Sequence, residues 1–260
     1  EANCQTLRDW GYEPVLRPER RHLYFAGSDT ERLEELEWAL SAPDIQAVWA
    51  SRGGYGVLRL LHELGPGLRP RPVVGFSDLT ALHVALWHRG WTNLVHGPVL
   101  HSLGEHPDED SRESLRRLLT TGRAPVLEGR TVVRGEVEAP LVGGNLCVLA
   151  SLCGTPHQLR AGGAILLLED VHEAPYRLDR YLMQLLQAGV FKGVLAVALG
   201  TFVDCNPPTD APFPAEDVLV EILRELEIPV ISRVPVGHGP ENLPFRFGGR
   251  VRLRDGRLEP

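Results

Sequence analysis

Ser77 stands where an apolar run, Val73-Val74-Gly75-Phe76, gives way to a helix-forming stretch. A hydroxyl on such a strand-to-helix turn is exposed at the sheet edge, and the helix dipole favours negative charge beside it. The next N–H, that of Asp78, points the same way, so the position suits a nucleophile with an oxyanion donor. The pattern is not G-x-S-x-G, because Leu79 replaces the second glycine. From the residues alone Ser77 can also be a helix N-cap, which is the commoner use of a serine there.

Three further stretches carry more glycine, histidine and acid than packing needs. Residues 51–56 read SRGGYG. Gly53, Gly54 and Gly56 allow positive φ and leave backbone N–H groups uncovered for a ligand. No G-x-G-x-x-G and no Lys-Ser/Thr accompanies them, so dinucleotide and P-loop sites are not supported. Residues 166–180 read LLLEDVHEAPYRLDR, a buried-type strand running into Glu169, Asp170, His172 and Glu173. Residues 235–240 read PVGHGP, with His238 between two glycines. Each stretch has an ordinary structural use: a tight turn, an acid-capped loop, a surface-loop histidine. Taken together they supply a base (His238), a carboxylate to hold it (Glu169, with Glu173 as rival) and backbone donors (Asp78 with Gly53 or Gly54) for a nucleophile at Ser77. Asp170, His172 and Glu173 could alternatively serve a metal hydrolase, but their i, i+2 spacing is no recognised zinc pattern. A third class is a non-catalytic ligand-binding protein that uses the same loops.

These groups need elements to position them. A helix is expected over 2–10, closed by Gly11, then a weak strand at 13–16. A helix over 31–40 is capped by Ser28 or Asp29, with Leu33, Leu36 and Leu40 at helical spacing. Strands follow at 45–50, 73–76 and 94–96, with helices at 57–64 and 78–88. His83 belongs to the second of these as a structural residue. Strands alternating with helices imply a parallel sheet covered on both faces. Residues 106–129 are polar at their start and read as a linker with a short helix. Beyond it strands are expected at 131–137, 164–168, 193–199, 229–231 and 251–253, and helices near 145–152, 177–188 and 215–226. The organisation is therefore an N-terminal α/β domain over 1–105, the linker, and a C-terminal β/α domain over 130–260.

The 260 residues suffice for one large or two smaller domains with a sizeable core. A net charge of −7 argues against nucleic acid as the main partner, which would want a basic face. Arginine supplies 26 of the 27 basic residues, Lys192 being the exception. Cys4, Cys147, Cys153 and Cys205 show no C-x-x-C spacing and read as free thiols. No apolar stretch, 164–168 included, is more than strand-sized, far short of a membrane span. No signal peptide is read at Glu1, which is not an initiator, so part of the native N-terminus, a targeting segment included, can precede it.

The set SRGGYG at 51–56, GFSDLTALH at 75–83, HGP at 96–98, GGNL at 143–146, LEDVHEAPYRLDR at 168–180 and VGHGPENLPFRFG at 236–248 resembles the LD-carboxypeptidase family, the S66 serine peptidases. The motifs stand in the family's order across nearly the whole chain. The resemblance implies a Ser–His–Glu triad at Ser77, His238 and Glu169. It implies an N-terminal flavodoxin-like or Rossmann-like layer, a C-terminal swivelling β/α domain and an active site between them. Glu169 is preferred over Glu173 as the first acid after the strand and the first of the L-E-D motif. Arg52 and Arg177 are the cationic candidates for a terminal carboxylate, and Asn145 is a further candidate for binding substrate.

The same resemblance implies the reaction: cleavage of an L–D amide to release D-alanine from a murein tetrapeptide, in cytoplasmic cell-wall recycling, by a homodimer without metal or other cofactor. The sister activity is immunity to microcin C-type antibiotics, in which an acyl-sulfamoyl nucleotide is cut. Those relatives carry an added loop with an aromatic residue for the nucleobase. Residues 121–141 are short and hold no Trp, Tyr or Phe, which favours the carboxypeptidase. The family also opens with a strand and a turn of the VAPSGP type, which this chain lacks. A longer native chain is therefore expected.

Overall fold

A computed structural model describes residues 2–105, 108–206 and 213–260. In chain order the elements of the first stretch are α1 (Ala2–Asp9), α2 (Asp29–Ser41), β1 (Val48–Trp49), β2 (Val73–Gly75), α3 (Leu79–His88), β3 (Leu94–His96) and α4 (Leu100–Glu105). Then come α5 (Glu109–Thr121), β4 (Leu127–Glu128), β5 (Arg130–Val133), β6 (Val137–Asn145), α6 (Leu146–Leu152), β7 (Ile165–Val171), α7 (Pro175–Gln187) and β8 (Ala196–Val203). The chain closes with α8 (Ala215–Arg224), β9 (Val230–Ser232), β10 (Phe245–Phe247), β11 (Gly249–Arg254) and β12 (Arg257–Glu259).

Two sheets result, so the fold is mixed α/β with parallel strands at the heart of each. The smaller runs β1-β2-β3-β10, its first three strands parallel. The larger runs β4-β12-β11-β6-β7-β8-β9-β5, with β6, β7, β8 and β9 parallel. β7 is central because Ile165-Leu166-Leu167-Leu168 is apolar on both faces, as a strand covered by helices on both sides must be. α7 covers it with Leu178, Leu182 and Leu185, spaced i, i+4, i+7 and fully buried. α2 starts on a complete capping box between Ser28 and Glu31.

Several expectations need correction. No strand forms over 13–16; those residues are irregular and mostly exposed, and no strand pairs with them. The helix expected over 57–64 is a 3-10 turn, Val57–Arg59, entered from Gly56 in the left-handed region. The single strand expected at 131–137 is two strands, β5 and β6, on opposite sides of β7. Of the stretch read as a linker, residues 106–107 lie outside the described residues, and the remainder contains α5. That helix buries Leu115 and Leu118 with Cys4, Leu7, Val74 and Val95. β10, from the C-terminal third of the chain, pairs antiparallel with β3 and so belongs to the first sheet.

The two sheets meet where α3 packs on β6 and α6. Gly144 makes this contact possible: a Cβ there would lie 2.5 Å from Thr80 Oγ1. Its φ of +147° also disfavours any side chain. The adjoining Asn145 N–H donates to the same Thr80 Oγ1 at 3.1 Å, locking strand to helix. Gly144→Ala is therefore expected to cost about 1–3 kcal/mol from strained backbone and overpacking. Urea unfolding checks this; an unchanged midpoint would contradict the contact.

Candidate active site

Ser77 occupies the joint between β2 and α3 with φ +63°, left-handed for a residue that carries a Cβ. Such a conformation costs on the order of 1–3 kcal/mol and persists only where its surroundings enforce it. Here they do. Gly75 lets α3 fold back on the strand, a Cβ there being only 2.9 Å from Leu79 Cγ. Thr80 N–H closes the turn on the Ser77 carbonyl at 2.9 Å. No side chain caps α3, so the Ser77 hydroxyl is not used as an N-cap.

The hydroxyl instead meets His238: Ser77 Oγ lies 3.2 Å from Nε2. The other ring nitrogen, Nδ1, lies 2.7 Å from Glu169 Oε2. Glu169 is fully buried, one residue past the Leu168 that ends the apolar run of β7. Gly237 permits the approach, since with φ +124° its Cβ would fall 2.7 Å from Glu169 Oε2. The histidine loop is tied down on both sides. Gly237 N–H donates to Asn242 Oδ1 at 3.0 Å, and Gly239 N–H donates to Thr201 Oγ1 at 3.2 Å. Phe76 packs its ring 4.7 Å from the His238 ring.

Burial disfavours the imidazolium of His238, but the Glu169 carboxylate outweighs burial and raises the His238 pKa above the ordinary 6.5. Asp170, on the same strand, is pushed up to about 6 by burial and by the neighbouring Glu169 charge. It accepts from Asn145 Nδ2 and from the Cys147 N–H, both at 2.9 Å.

The structure thus brings Ser77, His238 and Glu169 together, with Gly53 beside them. A Cβ on Gly53 would lie 3.3 Å from Ser77 Cβ and 3.4 Å from Ser77 Oγ. Gly54 follows with φ +136°. Arg52 is exposed on the same loop. Asn145 is buried, and its amide is occupied: Oδ1 accepts from the Val148 N–H as the cap of α6, and Nδ2 donates to Asp170. Arg177 pairs with Glu173 at 3.4 Å. Glu173 also accepts from Tyr181 Oη at 3.3 Å, so its bonds are made away from the imidazole. His172 lies 3.6 Å from Asp204. Among the described residues no group of three or more His, Cys, Asp or Glu is arranged to hold a metal ion.

Sequence reasoning missed four contributors: Thr80, Thr201, Phe76 and His96. His96, in the HGP motif, is fully buried between Phe76 and Phe245, and burial holds it neutral, well below 6.5. The motif marked its position, but nothing local told that strand β10 would stack on it. An arrangement of hydroxyl, imidazole and buried carboxylate in this order can deprotonate the hydroxyl and hold the resulting cation.

Comparison with known proteins agrees along the whole chain. Residues 1–97 match the family of LD-carboxypeptidase N-terminal domains, and residues 138–253 match that of LD-carboxypeptidase C-terminal domains. A murein tetrapeptide carboxypeptidase of Pseudomonas aeruginosa is 38% identical, over 99% of this chain and 89% of the relative. A putative carboxypeptidase of Synechocystis is also 38% identical, over 95% of this chain and 83% of the relative. The crystal structure of a muramoyltetrapeptide carboxypeptidase from Oxalobacter formigenes superposes with a TM-score of 0.87 at 31% identity, covering 99% of this chain and 91% of that one. The microcin C7 self-immunity protein MccF superposes with a TM-score of 0.88 at 23% identity, over 99% and 88% of the two chains, a likeness of fold alone.

The His238–Glu169 contact has a measurable consequence. The folded-state pKa of His238 lies above its unfolded value of ~6.5, so the pair's contribution to stability is full below that pH. It is lost as pH rises through the folded value. In an NMR titration the His238 ring is expected to titrate above 6.5, and in Glu169→Gln at a lower pH. An identical midpoint in both proteins would contradict the coupling.

Proposed function

The chain belongs to the LD-carboxypeptidase family, and on that premise we propose that it removes the terminal D-alanine of a murein tetrapeptide by serine-type hydrolysis of the L–D amide bond. The observation that carries the proposal is the bonding of one imidazole to both Ser77 Oγ and Glu169, with Ser77 on a strained strand-to-helix turn.

In this scheme His238 Nε2 takes the Ser77 proton as Oγ attacks the scissile carbonyl carbon. Glu169 stabilises the imidazolium. The tetrahedral oxyanion is held by the Asp78 N–H and by one from Gly53 or Gly54, each such donor being worth roughly 3–4 kcal/mol of barrier. His238 then protonates the departing D-alanine amine, leaving an ester on Ser77. A water deprotonated by His238 hydrolyses that ester and restores the serine. Arg52 is the better placed cation for the terminal carboxylate, because it adjoins Gly53 and because Arg177 is engaged by Glu173. Asn145 acts from behind, through Asp170 and Thr80.

The protein acts, in this proposal, as a cytoplasmic homodimer in cell-wall peptide recycling. No helix among the described residues is long and apolar enough to cross a membrane. The alternative substrate is an acyl-sulfamoyl adenylate of the microcin type. Residues 121–141 disfavour it, for they hold no aromatic ring to stack on a nucleobase.

Mass spectrometry on L-Ala-γ-D-Glu-meso-diaminopimelate-D-Ala, beside a microcin-type adenylate, tests the assignment. D-alanine release is expected to fall ~10⁴-fold or more in Ser77→Ala while folding is kept. The losses in His238→Ala and Glu169→Gln should be non-additive with it. Turnover by Ser77→Ala at the wild-type rate would refute the nucleophile. Activity lost in EDTA and restored by metal would refute the serine mechanism.

A further inference from the structure

Asp78 stands directly before α3, where an acid ordinarily caps its own helix. It does not cap it. Its carboxylate, buried to 8% exposure, turns instead toward the end of the glycine-rich loop. Asp78 Oδ2 accepts the Val57 N–H at 2.9 Å. Burial raises the Asp78 pKa above the ordinary carboxylate value, while the Val57 N–H, the Arg32 cation (itself held by Asp29 at 3.0 Å) and the Gly56 N–H favour the charged form. Gly56 has φ +117° and is packed under Phe25 and Arg32, so that no side chain could occupy its place. At its other end the loop is fixed by two backbone bonds, Leu100 N–H to Ala50 O and His101 N–H to Ser51 O, both 2.9 Å.

Between these anchors lie Arg52, Gly53, Gly54 and Tyr55. Gly53 rests against the Ser77 hydroxyl, yet it and Gly54 have no side chains with which to fix their own height above it. A glycine pair is the least constrained backbone a chain can have. A hydrogen bond from a loop N–H to a buried carboxyl oxygen constrains that backbone directly. Asp78 is also covalently next to Ser77, so it ties the loop to the same turn that aims the nucleophile.

We propose that the Asp78 carboxylate is a positioning residue that sets Gly53 and Gly54 beside Ser77 Oγ, where an N–H of one of them joins that of Asp78 in receiving the oxyanion as it forms. The inference rests on Ser77 as nucleophile and on these amides as oxyanion donors. Arg52, on the same loop, reaches the terminal carboxylate through a long flexible side chain, which absorbs a small backbone shift that a fixed N–H cannot. Loss of the clamp therefore weakens the transition state and leaves ground-state binding nearly intact.

Asp78→Asn keeps the shape and one acceptor oxygen, whereas Asp78→Ala removes the acceptor. On the tetrapeptide, kcat is expected to fall about 10-fold in Asp78→Asn and about 10²-fold in Asp78→Ala, with KM and tripeptide-product affinity within about 3-fold of wild type. A peptide boronic acid, with boron in place of the scissile carbonyl, forms a tetrahedral adduct on serine. Its affinity is expected to fall by the same factors as kcat/KM. Product affinity falling in step with kcat, or boronate affinity unchanged, overturns the clamp. If Asp78→Ala fails to fold, the isosteric Asp78→Asn carries the same comparison. Wild-type kcat in the Asp78 variants sinks this inference alone. Absence of D-alanine release by the wild type, or its persistence in Ser77→Ala, sinks the assignment beneath it.

Discussion

His238 reaches Glu169 through one ring nitrogen and Ser77 through the other, at 2.7 and 3.2 Å. The serine stands on the smaller sheet and the glutamate on the larger, so the two sheets must keep a separation set by the width of an imidazole. Much of the packing around the site answers to that requirement. Gly144 allows α3 to lie directly on β6, and Gly237 allows the histidine loop to lie directly on β7. Thr80 and Thr201 then hold these approaches with single hydroxyls. A side chain added at any of these close contacts would change the distance that the imidazole has to span.

The cost of the arrangement is concentrated in a few residues. Ser77 takes a left-handed backbone, and Glu169 and Asp170 lie adjacent and buried. Both are unfavourable by themselves. They are offset by the regular structure that flanks them. β2 and α3 bury nearly every residue they contain, and β7 delivers the two acids from a strand buried over Ile165–Asp170. Asp170 is further relieved by the first turn of α6, whose Cys147 N–H it accepts. The strain is local because its support is broad.

The parts of the fold that repeat with a clear period were legible in the sequence. β7 and α7 were expected nearly where they occur, because a continuous apolar run and an i, i+4, i+7 leucine stripe each have one good solution. Failures came where a distant partner decides. Residues 13–16 read as a weak strand but pair with none. Residues 57–64 have helical types, but they form only a 3-10 turn, entered from a left-handed Gly56, with the Val57 N–H given to a carboxylate 21 positions on. At the site, Ser77, Glu169 and His238 were visible as residue types at the ends of elements, though only the family resemblance connected them. Asn145 was legible as important but not as a buried cap. The direction of the Asp78 carboxylate was not legible at all, since an acid before a helix looks like a cap whichever way it turns.

β10 has a consequence for how the molecule can be made. It completes the sheet begun by β1, β2 and β3, yet it lies some 150 residues after β3 in the chain. At roughly 5–20 residues per second, a ribosome takes on the order of 10–30 s to supply it. Over that interval the nascent first sheet has an open edge at β3, with His96 uncovered by Phe245. The histidine loop emerges only a few residues before the strand that closes this edge. The last strand of the oldest sheet and the loop of His238 thus leave the ribosome together, and the contact between His238 and Ser77 forms only once both have emerged.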